Sequence, residues 1–109
     1  MTSFSYKAVL GSDGSAQVVS LIASQAPPDR PLRAVVWSAR REGWIFAPAP
    51  AARMLYDDRN FDRTQDIDRT EAEKIALTVF RTPLPDEDTL ERMCDEGAAA
   101  GWRYGPPQG

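Results

Sequence analysis

The 109-residue chain has no histidine and a single cysteine, Cys94. The first absence removes the usual side chain for proton transfer near neutral pH, and with it Ser-His-Asp triads, Cys-His dyads and His-containing zinc sites. The second excludes an intramolecular disulfide framework. Lysine is scarce as well, two residues against eleven arginines. Together with abundant alanine, this bias is that of a GC-rich bacterial genome and bears on source rather than function. No apolar run approaches the roughly 20 residues that span a bilayer. The opening MTSFSYKAVL lacks the basic flank and long apolar segment of a secretory signal. The expected setting is therefore the cytoplasm, with no membrane partner.

What is present fits a folded chain: 42% hydrophobic and 27% charged residues are globular rather than disordered proportions. The length suits one domain, residues 1–109, with a frayed tail over 105–109. Charge is divided unevenly. Residues 1–56 carry six basic and three acidic side chains, whereas residues 57–109 carry seven basic and thirteen acidic ones. An acidic second half repels phosphates, so nucleic acid is not an expected partner, and it attracts a basic protein.

Strands are expected first. Phe4 to Leu10 and Ala16 to Ala23 flank the turn cluster GSDG, although Val18, Val19 and Ile22 also fall at helical spacing. QAPPDRP, Gln25 to Pro31, is a loop because its prolines fix φ and remove donors. Leu32 to Ser38 and Trp44 to Ala47 form a second hairpin around ARREG. Helices follow. Pro48 and Pro50 suit a first helical turn and lead to Ala51, Met54 and Leu55. Thr70 and Glu73 have the spacing of a capping box. Ala72, Ile75, Ala76, Val79 and Phe80 repeat at helical period. TPLP stops that helix, Asp86 caps the next over about Glu87 to Gly97, and Gly101 is placed for a left-handed cap with Trp102 folding back. The expectation is an α+β fold: an antiparallel sheet of about four strands in two N-terminal hairpins, with two to three C-terminal helices packed on one face.

Five aspartates crowd YDDRNFDRTQDIDR, Tyr56 to Arg69. Asp58, Asn60, Asp62 and Asp66 match calcium-ligand positions 1, 3, 5 and 9 of an EF-hand loop. However, Arg63 stands where the loop needs glycine and Arg69 where it needs a closing glutamate, so a solvated acidic connection is expected instead of a metal site. Asp66 and Asp68 share a face if Gln65 to Arg69 is extended, but neighbours in sequence are weak grounds for an acid–base pair. Cys94, beside Met93 on an apolar helix face, reads as a small core residue.

No catalytic residue, cofactor or metal is assigned. The leading expectation is a small non-catalytic interaction module. It would bind a basic partner through Asp57, Asp58, Asp62, Asp66 and Asp68 and the first turns of the last two helices, as an immunity- or antitoxin-like inhibitor would. The alternative is a small-ligand-binding or enzymatic domain. Its pocket would lie between sheet and helices, lined by Trp37, Trp44 and Tyr56, with Arg40 and Arg41 as anion anchors. The same "WSARREGW" stretch would be the place for nucleic acid if any bound.

Overall fold

The computed structural model describes residues 4–11, 17–27, 29, 31–57, 63–103 and 105. Five strands, β1 (Ser5–Leu10), β2 (Val18–Gln25), β3 (Arg33–Ser38), β4 (Gly43–Phe46) and β5 (Thr64–Ile67), form one sheet in the order β4-β3-β2-β1-β5. Every pairing is antiparallel. Three helices, α1 (Pro48–Tyr56), α2 (Arg69–Val79) and α3 (Glu87–Ala100), complete an α+β fold. The segment containing Val18, Val19 and Ile22 is a strand. Within GSDG, Ser12 to Gly14 lie outside the described residues, as do residues 58–62 and 106–109.

The expected sheet of about four strands gains a fifth at the edge opposite β4. Thr64–Ile67 pairs with β1, with Tyr6 opposite Ile67 and Lys7 opposite Asp66. A charged residue is tolerated at that edge because Lys7 forms an ion pair with it across the strands.

Strand alternation divides the apolar residues between two faces. On one face Tyr6, Ala8, Leu21, Ala23, Val35 and Phe46 pack with Ala72 and Ala76 of α2 and Leu90 and Cys94 of α3. On the other, Val9, Ile22 and Ala34 pack with Ala51 of α1, joined by Val36, Met54 and Leu55. Only α2 and α3 therefore share a face. The α1 segment covers the reverse side because the chain leaves β4 at one edge and must cross the sheet to enter β5 at the other.

The helix ends follow local chemistry. Pro48 occupies the start of α1, where its missing N–H costs nothing. The capping-box expectation for Thr70 is corrected. Asp68 is the N-cap of α2, its carboxylate accepting from the Glu71 amide at 2.8 Å, and Thr70 falls within the first turn. Starting the helix two residues earlier places Arg69 one turn before Glu73, to which its Nε donates at 3.2 Å. Asp86 caps α3 by accepting from the Thr89 amide at 2.7 Å. Those bonds hold the exposed Asp86 carboxyl below its ordinary pKa. Gly101 adopts φ 73° at the end of α3, and the Trp102 amide donates to the Gly97 carbonyl at 3.0 Å, returning Trp102 onto the core.

Two packing expectations change. In the periodic stripe of α2, Ala72 and Ala76 are fully buried and Ile75 and Phe80 partly so, but Val79, in the last turn, is 45% exposed. The tail expected to fray from residue 105 keeps its first residue in place. Gly105, at φ 85°, is buried against Ile45 and the Arg41 guanidinium, where a Cβ would lie 3.2 Å and 2.8 Å from their nearest atoms.

Candidate functional site

Tyr6 sits at the centre of a polar cluster that no sequence motif announces. Its side chain points from β1 towards the helical layer, because Tyr6 and Ala8 share that face. The hydroxyl donates to Glu87 Oε2 at 2.7 Å and accepts from Arg69 Nη1 at 3.0 Å. The Arg69 guanidinium carbon also lies 5.6 Å from the Tyr6 ring centroid, within cation–π reach. Burial, reinforced by the Glu87 carboxylate, pushes the phenol pKa up to about 12. The Arg69 pKa is raised overall, by its bonds to Tyr6 and Glu73 acting against burial. One hydroxyl thus ties β1 to the first turns of α2 and α3.

Around this cluster opens a hollow of about 540 Å³, bordered by Phe4, Tyr6, Lys7, Asp66, Ile67, Asp68, Arg69 and Glu87. Asp68 and Glu87 border it beside Tyr6, whereas Asp66, opposite Lys7, stands at its rim on the alternate side of the strand. Both cations of the rim are engaged from within the chain, Lys7 by Asp66 and Arg69 by Tyr6 and Glu73.

The aspartates named from the sequence fall as follows. Asp66 and Asp68 reach the hollow, the first paired with Lys7 and the second capping α2. Asp57 terminates α1, its amide donating to the Arg53 carbonyl at 3.2 Å. Asp58 and Asp62 lie outside the described residues, as does Asn60 of the calcium-loop pattern. Among the described residues, no three of the types His, Cys, Asp and Glu are gathered so as to hold a metal ion. Asp66 and Asp68 engage separate partners, a lysine ammonium and a backbone amide.

The aromatic–arginine set is divided. Trp37 and Trp44 are cross-strand neighbours, their ring centroids 5.4 Å apart and edge-on, and Phe80 stacks on Trp37 at 4.9 Å. Trp44 Nε1 donates to the Pro83 carbonyl at 3.2 Å. These rings fasten the β3–β4 edge to the segment that follows α2, and they do not form a pocket wall with Tyr56, which is 64% exposed at the end of α1. Trp37, Arg40 and Arg41 instead border a groove of about 530 Å³ on the α1 face. Arg53 and Arg63 join them there, two residues that sequence spacing did not connect with the hairpin.

Arg33 and Cys94 form a third cluster between β3 and α3. Arg33 pairs with Glu91 at 3.2 Å and with Asp95 at 2.6 Å, and its Nε is buried without a hydrogen-bond partner. Burial, partly offset by Arg33, pushes the Cys94 thiol pKa up to about 11. That is the opposite of what nucleophilic use requires.

No protein-family model, curated protein or solved structure matches the chain. No helix among the described residues is long and apolar enough to cross a membrane.

Proposed function

We propose that the chain is a non-catalytic interaction module that receives a cationic side chain of a basic protein partner in the hollow between β5 and the starts of α2 and α3. The observation that supports this reading is that Asp66, Asp68 and Glu87 all border one polar hollow whose own cations are already engaged. A lysine or arginine entering there meets Asp68, held by its capping bond, and Glu87, held by a partly buried hydrogen bond. Little ordering is then left for the moment of binding. Exposed Glu71 and Asp88 in the adjacent first turns extend the negative field outwards, the arrangement that steers a basic partner and speeds its association. An immunity- or antitoxin-like role is one occupation of such a surface.

The test is a variant that removes charge but keeps shape: Asp66→Asn, Asp68→Asn and Glu87→Gln together. Asparagine still caps α2, and glutamine still offers an oxygen to the Tyr6 hydroxyl. A partner captured by the wild-type chain should associate at least tenfold more slowly with this variant, and its affinity should depend less on salt. Normal binding by the triple variant, with binding lost in Arg40→Ala, Arg41→Ala, would overturn the reading.

A further inference from the structure

The two margins of the sheet are finished differently. Beside β4, Gly97 of α3 packs against Phe46 and Gly105 against Ile45, while the Ala49 amide just beyond the strand donates to the Arg103 carbonyl at 3.2 Å. That margin is covered. β5, at the other end of the strand order, pairs with β1 alone. Among the described residues, no backbone group outside β1 bonds to the backbone of Thr64, Gln65, Asp66 or Ile67. A bare margin of this kind is a template for a further strand, and most folds cover it.

The alternation of hydrogen bonds identifies the groups that β5 turns outwards. The Ala47 amide donates to the Ala34 carbonyl at 2.9 Å, so the backbone groups of Ala34, Val36 and Ser38 face β4, and those of Arg33, Val35 and Trp37 face β2. The Trp37 carbonyl accordingly accepts from Ser20 Oγ of β2 at 2.8 Å. Carried through the antiparallel registers, the same alternation turns Lys7 and Val9 towards β2 and Tyr6 and Ala8 towards β5. Their partners Ile67 and Gln65 bond inwards. The amides and carbonyls of Thr64 and Asp66 therefore point away from the sheet.

Side chains along this margin set a pattern. The Asp66 side chain is 85% exposed and meets Lys7 from the β1 side. Ile67, on the opposite face, packs on the core and is only partly buried. Asp68 follows, exposed, at the start of α2. A strand complementary to acidic, apolar, acidic is basic, apolar, basic.

We propose that β5 receives a sixth strand, an extended lysine-rich segment of the basic partner, bonded through the backbone of Thr64 and Asp66. One cation then lies opposite Asp66, an apolar side chain beside Ile67 and a second cation level with Asp68. Main-chain bonds supply the affinity in such an addition, and alternate side chains supply the selection. The inference rests on the reading of the acidic hollow as the seat of a basic partner, and it adds how that partner is held. A second copy of the chain fits less well, because joining two β5 margins gathers the Asp66 and Asp68 carboxylates of both chains at one seam.

The experiment is an NMR titration of the full chain with an end-blocked heptapeptide of alternating lysine and valine. Binding should shift the Thr64 and Asp66 amides and slow their hydrogen exchange, whereas the Gln65 and Ile67 amides, already bonded to β1, keep their exchange rates. In the proposed register the lysine backbone faces β5. N-methylation of the lysine amides should therefore weaken the peptide about tenfold, through the loss of hydrogen bonds, and N-methylation of the valine amides should leave its affinity unchanged. Three results would overturn the proposal: no shift at millimolar peptide, equal effects of methylation at lysine and at valine, or a free chain that already protects these amides by pairing with itself. If lysine methylation is harmless while Asp66→Asn, Asp68→Asn, Glu87→Gln loses the peptide, the sixth strand is wrong and the acidic hollow stands. If lysine methylation prevents binding and the triple variant still binds, the sixth strand stands and the reading of the hollow falls.

Discussion

Phe46 fills the space that a side chain at Gly97 would need. A Cβ built on Gly97 would lie 2.1 Å from Phe46 Cδ2 and 2.8 Å from Phe46 Cβ. The clash reaches the root of the phenylalanine side chain, so a rotation of the ring does not relieve it. Gly97→Ala should therefore destabilise the chain by roughly 1–3 kcal/mol, even though alanine is the better helix former by about 1 kcal/mol in an exposed helix interior. Urea unfolding measures this, and a stabilised variant would show that α3 can move away from β4 at little cost.

Tyr6 links three elements through one oxygen. Tyr6→Phe removes the donor to Glu87 and the acceptor for Arg69, at an expected cost of about 1–3 kcal/mol. The hydroxyl also gives the fold an alkaline limit. Its folded pKa is about 12 against an ordinary value of 10.0, so the protonated form is the one that folding favours. This contribution is complete below pH 10 and is lost as pH rises towards 12. With allowance for solvent screening at the mouth of the hollow, it is on the order of 1–2 kcal/mol. Unfolding midpoints measured between pH 9 and 12 should fall more steeply for the wild-type chain than for Tyr6→Phe. Parallel curves would remove Tyr6 from the account.

Cys94 is fully buried, with a thiol pKa of about 11. At pH 8 the native chain should react with an aromatic disulfide reagent at least a hundredfold more slowly than the same chain in denaturant, because both access and thiolate fraction are suppressed. Rapid native labelling would mean that α3 opens locally far more often than its packing implies.

Two substitutions on the helices separate core from surface. Leu90 is completely buried, and Leu90→Ala should cost about 2–5 kcal/mol. Val79 is half-exposed, and Val79→Ala should change stability by no more than about 0.5 kcal/mol. Equal effects in chemical denaturation would place the core elsewhere.

Local chemistry was legible in the sequence where it is local in space. Asp86, Gly101 and Trp102 have the conformations or contacts their residue types demand, and the prolines of α1 stand where a helix accepts them. The α2 cap was misplaced because Asp68 and Thr70 are both good cap residues. The choice between them depends on where Arg69 must stand to meet Tyr6, a contact across 63 positions. β5 was obscured because Thr64–Ile67 is short and charged, and it becomes a strand only through the lysine and tyrosine of β1. The convergence of Asp68 with Glu87, and of Arg40 with Arg63, is a product of the crossing of the sheet by the chain. No periodicity records that crossing.

The crossing also orders the assembly of the sheet in time. β1 to β4 pair each with the next in sequence, whereas β5 returns to β1 only after the entire meander and α1 have intervened. Loop-closure entropy favours forming the sequence-local meander before that closure, and in that order β1 would stand as an open hydrogen-bonding edge until β5 pairs with it. During synthesis, the first four strands emerge while their eventual cover is still unmade. That interval, rather than the finished fold, is when this chain is most exposed to pairing with a neighbour through β1.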